Sequence, residues 1–332
     1  FFWKLITSAT TAGFGMKDFT WYQYFFTQCR ALFVYIGMFL LPVNLTLDWD
    51  FPVSKTLLDH GAFIGLVALV ALSAAAWYYR RRFPLAAYGW FLYLLLMAPT
   101  SSILPIQDTI AERRLYASML GLLLIVTDIL ARLRVTHKAL AAACAVIVLL
   151  TAGAARARAS LWGDPVALFQ DTVRKSPNKA RPHIHLGMAY FDAGRPDLAI
   201  GEYQTAAQLD KADHPLLVDW GLAYDAMGRM DDALAKLRQA ALMEATPHVY
   251  TQIAEVYAKN RHYPEALEAL ETAQKLDGSF APIYVYRGNI YFNTGQYAAA
   301  IAQYQRALQL QPDHAEALQN MAKARQQLRV GR

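Results

Sequence analysis

Hydrophobic and polar positions divide the chain into two halves with different periods. Up to about Ala155 the apolar residues come in long runs; beyond it they recur every three or four positions among charged and amide side chains. Five runs stand out, at about 25–41, 57–79, 85–103, 115–133 and 139–155. The first holds Cys29 and Arg30 and stops at Pro42; the second ends in Arg80, Arg81 and Arg82; the third is interrupted by Pro99. An α-helix needs roughly 17–25 residues to cross a ~30 Å hydrocarbon layer. All five runs fit that length, the first and last narrowly, and each is expected to form a membrane-spanning helix. Residues 1–24 are mixed, aromatic and glycine-containing, and read as an entry segment at the interface. Short alternations of apolar and polar residues lack hairpin punctuation, so no strand competes with helix.

The second half keeps a beat. Gly187, Gly221, Ala254 and Gly288 are spaced 34, 33 and 34 residues apart. A tyrosine follows each at the same offset: Tyr190, Tyr224, Tyr257 and Tyr291. Then come two alanines per unit, Ala199 and Ala206, Ala233 and Ala240, Ala266 and Ala273, Ala300 and Ala307. Small residues at these points let two helices touch, and the tyrosines plug the gap to the next pair. This is the pattern of the tetratricopeptide repeat, a helix–turn–helix unit of about 34 residues. Four full repeats are expected from about Ala180 to Asp313, closed by a polar capping helix from about Ala315 to Leu328. Gly194, Gly228 and Gly295 fall at the turns within repeats, and the third repeat carries Asn260, Arg261 and His262 there, with Asn260 the residue suited to a left-handed turn. A lone helix over Asp164–Ser176, matching the second helix of a repeat, is expected to dock the array onto the first half. The expected fold class is therefore all-α: a multi-span transmembrane helical domain over 1–158, then a tetratricopeptide-repeat α-solenoid over 159–332.

Composition agrees with that division: 55% of residues are hydrophobic and 17% charged. The net charge of +6 does not indicate nucleic acid, because the basic residues gather at the ends of apolar runs. Arg80–Arg82, and Arg132, Arg134 and Lys138, belong on the cytoplasmic side by the inside-positive rule. The loops holding Asp48 and Asp50, and Asp108 to Arg114, then face outward, and the repeats are extracytoplasmic, periplasmic or lumenal. Arg156 and Arg158 sit on the wrong side of this scheme, although long domains translocate largely regardless of charge. The two cysteines, Cys29 and Cys144, lie in separate apolar runs and suggest neither a disulfide nor a metal site. The chain starts Phe1-Phe2-Trp3-Lys4 without a methionine or a signal-peptide design, as expected of a segment of a longer protein.

Candidate chemistry is sparse. Asp108 and Glu112, four apart, would share a helix face, with Arg113 and Arg114 at the membrane edge. One reading has an arginine binding the phosphate of a lipid-linked substrate through paired charge-assisted hydrogen bonds, oriented by Glu112. The other makes Glu112 and an arginine an interfacial ion pair that anchors the fourth span. Asp48 and Asp50 flank Trp49, but two carboxylates fall short of a calcium cage. Asn44-Leu45-Thr46 is a glycosylation sequon set close to a span. His183 and His185, two apart on a helix, point to different faces and cannot chelate one metal. No metal site, nucleophile elbow or phosphate-cradling loop is present in the sequence.

The repeat groove is expected to be lined by Ile184, Met188, Phe191 and Asp192, then Val218, Leu222 and Asp225. His248, Thr251, Glu255 and Lys259 follow, then Val285, Asn289, Phe292 and Asn293. That apolar and amide-bearing surface suits a protein or peptide segment; a spacer or assembly arm is the alternative.

The order of parts resembles the transmembrane and tetratricopeptide-repeat-containing O-mannosyltransferase-like proteins. The residues that carry the resemblance are Leu41-Pro42 through Leu47-Asp48, Pro99 followed by Glu112-Arg113-Arg114-Leu115-Tyr116, and the repeats. The resemblance implies a glycosyltransferase of GT-C architecture. Such an enzyme takes a polyprenyl- or dolichyl-phosphate-linked sugar and transfers it to protein hydroxyls on the outer side of the membrane. It places the family's acidic catalytic residue in an early outward loop, which maps to no residue of this chain, so no catalytic residue and no cofactor are expected here. Membrane lipid and a protein in the groove are the partners it implies. A non-enzymatic membrane scaffold is the rival.

Overall fold

The computed structural model describes residues 19–133 and 136–330. Arg134 and residues 1–18 of the entry segment lie outside the described residues, while Trp21–Tyr24 already belong to the first helix. Among the described residues there are fifteen α-helices and no strands. The chain divides into two compact units, Phe1–Asn178 and Lys179–Arg332.

The first unit holds α1 (Trp21–Leu40), α2 (Ala62–Tyr78), α3 (Pro84–Met97), α4 (Leu115–Leu130), α5 (His137–Leu161) and α6 (Pro165–Lys175). Two helical stretches, Asp59–Tyr78 and Lys138–Leu161, are long and apolar enough to cross a membrane. The other three expected spans are altered. Fourteen-residue α3 and sixteen-residue α4 reach only about 21 and 24 Å at 1.5 Å per residue. The third run stops as helix at Met97, just before Pro99, which cannot donate to the helical ladder.

The first run does become a helix, but its direction departs from strict alternation. Near the start of α2, Gly65 lies on the Cys29 backbone of α1. Further along, Leu72 and Ala76 share a cavity with Ile36 and Phe39. The two helices therefore run in the same sense. Helix α3 runs oppositely, because the Tyr93 hydroxyl donates to Leu32 O (2.6 Å) and the Tyr24 hydroxyl to Thr100 O, past the end of α3. Helix α4 returns parallel to α1, with Arg114 at its start bonded to Tyr24 and Asp128 near its end accepting the Ala86 N–H.

Residues 41–58 retrace α1 in extended form. Their polar backbone is satisfied by side chains: Arg30 donates to Pro52 O and Ser54 Oγ (both 3.0 Å), and Ser54 N–H donates to Thr27 Oγ1 (2.9 Å). Irregular backbone inside an apolar bundle needs such partners.

Helices α3 and α4 meet backbone to backbone at Gly89 and Gly121, where neither position has room for a Cβ. Outside this contact the unit displays its apolar residues. Helix α2 buries only Ala62 and Gly65, and the apolar stretch of α5 is wholly exposed, with Val148 at 62% and Leu149 at 72%.

The second unit pairs α7 (Ala180–Asp192) with α8 (Pro196–Leu209), α9 (His214–Ala226) with α10 (Met230–Met243), α11 (Pro247–Lys259) with α12 (Tyr263–Leu276), and α13 (Pro282–Asn293) with α14 (Tyr297–Leu310), then adds α15 (Ala315–Val330). All eight repeat alanines named above are fully buried. Gly187 and Gly288 face the rings of Tyr203 and Tyr304, and Gly221 faces Leu237. Tyr190 and Tyr224 are buried; Tyr257 and Tyr291 are half-buried.

The turns are Schellman-like: Gly194 N–H reaches Phe191 O (2.9 Å) and Arg195 N–H reaches Tyr190 O (2.9 Å). Gly194, Gly228 and Gly295 take φ of 71°, 71° and 76°. In the third repeat the left-handed residue is Arg261 (φ 63°), whereas Asn260 stays at φ −90°. The reason is register. Arg261 lies seven residues after Ala254, as each turn glycine lies seven after its own small residue, and Asn260 uses its amide to donate to Val256 O (2.8 Å).

Candidate functional site

In the first unit the residues singled out from the loop before α4 part company. Asp108 sits in the loop and Glu112 opens a 3₁₀ turn, so they share no helix face. Arg113 is 71% exposed and pairs with Asp108 at 3.4 Å. Arg114 turns inward. Its guanidinium donates to Tyr24 Oη (3.3 Å), Thr100 O and Thr109 O (both 3.2 Å), and also to Asp108 O. That planar fork ties three segments together and is spent on the fold.

Glu112 reaches the 41–58 segment. Its carboxylate accepts the Thr46 N–H at 2.6 Å. Burial pushes its pKa up, opposed by Arg158, the Thr46 N–H and Lys175.

Those cations belong to a second node. Arg158 and Lys175 both donate to Leu45 O (2.6 and 2.7 Å) and to Asp171 Oδ2 (3.2 and 2.6 Å). Arg174 adds a bond to Asp171 Oδ1 (2.8 Å). Although burial opposes it, this cationic surround holds the Asp171 carboxyl below its usual range. Ser176 donates to Asp48 O, and Asn178 donates to Asp50 Oδ2 (3.1 Å). Asp48 and Asp50 thus serve to bind α6 to the 41–58 segment. The first compact unit takes in α6 and runs to Asn178. Among the described residues no group of three or more His, Cys, Asp or Glu side chains could hold a metal ion.

In the second unit the groove positions link neighbouring repeats. Lys259 pairs with Asp225 (2.7 Å) and Glu255 (3.0 Å), and Glu255 accepts the Tyr286 hydroxyl (2.7 Å). Burial pulls the Lys259 pKa down, but these two carboxylates carry it above its ordinary value. Toward the end of the array a pocket of about 300 Å³ is lined by Asn289, Phe292, Asn293, Tyr304, Asn320 and Lys323. Asn289 is its hub. Its amide donates to Glu316 Oε1 (3.1 Å) and its oxygen accepts Tyr304 Oη (2.7 Å) and Asn320 Nδ2 (3.0 Å).

At the other end, burial and the nearby Asp213 and Asp192 push the Asp219 carboxyl up to about 6. Ile184 is half-buried and Met188 exposed on the same helix as Asp192. His183 is buried against Glu202 (2.6 Å) while His185 is exposed, so the two do face apart.

Asp219, Tyr286 and Asn320 were missed from the sequence, yet the signal was present. With Gln252 and His185 they fall at one repeat position, spaced 34, 33, 34 and 34 residues apart, two before each small residue of the beat.

Sequence models described as tetratricopeptide repeats match residues 150–214, 247–280 and 288–328. The chain carries tetratricopeptide repeats. Such repeats form a protein-interaction module with an extended concave surface. The human protein O-mannosyl-transferase TMTC1 is 27% identical over 150 residues, in the repeat region, which is 43% of this chain. The match spans 17% of that relative's length.

Among solved structures, MamA is 22% identical at a TM-score of 0.40, covering 46% of this chain and 89% of that one. A tetratricopeptide-repeat protein of Thermus thermophilus is 20% identical at 0.43, covering 48% and 88%. The first repeat domain of Spaghetti (RPAP3), bound to an HSP90 peptide, is 25% identical at 0.33, covering 36% and 95%.

Proposed function

We propose that this chain is the membrane-held, repeat-bearing part of a GT-C-type O-mannosyltransferase-like protein, and that its groove receives a protein segment. The observation that carries this reading is the set of linked groove side chains, Asp225 through Lys259 and Glu255 to Tyr286, followed by the amide pocket that Asn289 forms with Tyr304 and Asn320. Amides both donate and accept, which suits the peptide groups of an extended chain. Phe292 supplies apolar contact.

The bilayer half of the reading is supported by α2 and α5, whose outward apolar side chains have no protein cover. In water such a surface far exceeds what monomers display. In this reading the first unit is multi-spanning, with the arginine-bearing ends of α2 and α4 cytoplasmic and the repeats on the far side. The transferase half is supported by the likeness to the human O-mannosyl-transferase. The donor is a polyprenyl- or dolichyl-phosphate sugar, and Arg113, exposed beside the loop, is the residue here that meets its phosphate.

The scaffold reading keeps one observation of its own: Glu112 and Arg114 are committed to internal bonds. Two variants in the full-length parent separate the readings. In the transferase, Arg113→Ala lowers sugar transfer to protein while capture of the groove partner is unchanged. Asn289→Ala with Asn320→Ala lowers both. No sugar transfer by the unaltered parent rejects the transferase reading, transfer that ignores Arg113→Ala rejects the phosphate role of Arg113, and partner capture that ignores the asparagine pair rejects the groove.

A further inference from the structure

The four-helix part of the first unit frames an open-sided cavity of about 550 Å³, walled by Ile36 and Phe39 of α1, Leu72 and Ala76 of α2, Trp90 of α3 and Ile125 of α4. That volume is in the range of roughly 300–1,000 Å³ typical of ligand sites. Its lining is apolar, and the polar tip of Trp90 is already spent, donating to Ser73 Oγ at 3.0 Å. A polar ligand would lose its hydrogen bonds on entering; a hydrocarbon chain would lose none.

One rim of the cavity has a marked charge. Phe83 lines the opening, and two guanidinium groups stack on its ring, that of Arg132 at 4.4 Å and that of Arg82 at 5.7 Å. Arg132 is also paired with Asp128 (3.0 Å), whose second oxygen accepts the Ala86 N–H. Arg82 is exposed. Arg80 is turned elsewhere, over Trp77 at 4.2 Å with a bond to Trp77 O. An apolar slot thus opens beside a pair of ring-anchored cations, at the end of the bundle opposite Glu112 and Arg113.

We propose that this cavity holds one acyl chain of an anionic membrane phospholipid, whose headgroup phosphate is met by Arg82 and Arg132. The inference rests on the bilayer reading given above. It is distinct from the donor site, which that reading puts at the other end of the bundle. The rim supplies the charge preference and the cavity supplies the hold on the chain.

The test reconstitutes the full chain into vesicles of equal parts phosphatidylcholine and phosphatidylglycerol, re-extracts it in mild detergent, and counts bound lipid by native mass spectrometry. One phosphatidylglycerol per chain is expected to survive extraction in preference to phosphatidylcholine. Arg82→Gln and Arg132→Gln are each expected to lower that retention about fivefold, the effect of one cation near an anionic headgroup. Arg81→Gln removes the same charge away from the Phe83 ring and should leave retention unchanged. Ala87→Phe fills the slot and should abolish retention of either lipid, with circular dichroism reporting whether that variant keeps its helices.

Equal retention of the two lipids, no bound lipid, a second copy of the chain in its place, or indifference to both rim arginines overturns the proposal. A chain that enters vesicles yet carries no lipid overturns this inference alone; one that never enters them overturns the bilayer reading as well.

Discussion

Both units bring helices close through glycine, and they do it differently. In the repeats a glycine makes room for a side chain: the Tyr203 ring lies on Gly187 and the Tyr304 ring on Gly288. In the first unit a glycine makes room for another backbone: Gly65 on the Cys29 carbonyl, Gly89 on Gly121. The first arrangement buries a large apolar ring from water, and so draws on the hydrophobic effect. The second buries little area and gains from dispersion and close approach. That is the driving force left when the surroundings are as apolar as the helices themselves. The contrast extends to exposure. The repeats hide their small residues and the rings of Tyr203 and Tyr304, while α2 and α5 turn Ile64, Val67, Ile147 and Leu149 outward.

The largest test of that contrast is a side chain at the backbone contact. Gly121→Leu has no flexible neighbour to displace, only the Gly89 carbonyl and the Tyr93 backbone. We expect it to cost more than ~3 kcal/mol and to remove the folded, monodisperse species on size-exclusion chromatography. Gly288→Ala meets a ring rather than a backbone, and its cost should be nearer 1–2 kcal/mol, roughly, in a thermal melt. Equal costs at the two sites would remove the distinction.

Next comes Arg114→Ala. It takes a charged donor from the carbonyls of Thr100, Thr109 and Asp108, although Tyr24 and Gln28 still donate to the first two, and we expect a loss of about 2 kcal/mol. Arg113→Ala, next to it but exposed, should shift the melting midpoint hardly at all.

A smaller effect separates the units by pH. The Asp219 carboxyl is raised to about 6 in the folded repeats, so the folded state holds its proton more tightly than the unfolded chain does. Its contribution is fully present below the unfolded value near 4 and is lost as pH rises toward 6. Asp219→Asn should therefore flatten the fall in repeat stability across that window and add up to about 2 kcal/mol above it. A melting profile that keeps its slope in the variant contradicts the assignment.

Smallest is Arg261→Gly, which relieves a left-handed non-glycine residue. It should raise stability by about 1 kcal/mol.

The same contrast explains what the sequence discloses. Every repeat contact recurs at a fixed interval, so a beat read from Gly187 to Gly288 predicts the helices and the buried alanines. Even the two misses, Arg261 as the turn residue and the position shared by Asp219, Tyr286 and Asn320, follow from applying the beat more strictly. The first unit has no such interval. Its decisive bonds, Arg30 to Pro52, Glu112 to Thr46 and Arg158 to Leu45, join side chains to backbone groups tens of residues away. No local pattern marks them. Hence the apolar runs were visible while the parallel course of α1 and α2, the extended return of 41–58 and the inward turn of Arg114 were not. For the candidate site, residue types were legible but their partners were not, because partner choice there depends on tertiary packing.

The claim on which the rest depends is that the exposed apolar helices of the first unit lie in lipid, and the chain carries its own probe. Cys144 is exposed in the apolar stretch of α5, two turns from its start, while Cys29 is buried. A charged, membrane-impermeant maleimide reacts with thiolate in water and is excluded from hydrocarbon. Applied to both faces of opened membranes, it should leave Cys144 unlabelled until the protein is denatured in dodecyl sulfate. Full labelling of Cys144 in the native membranes would contradict the account.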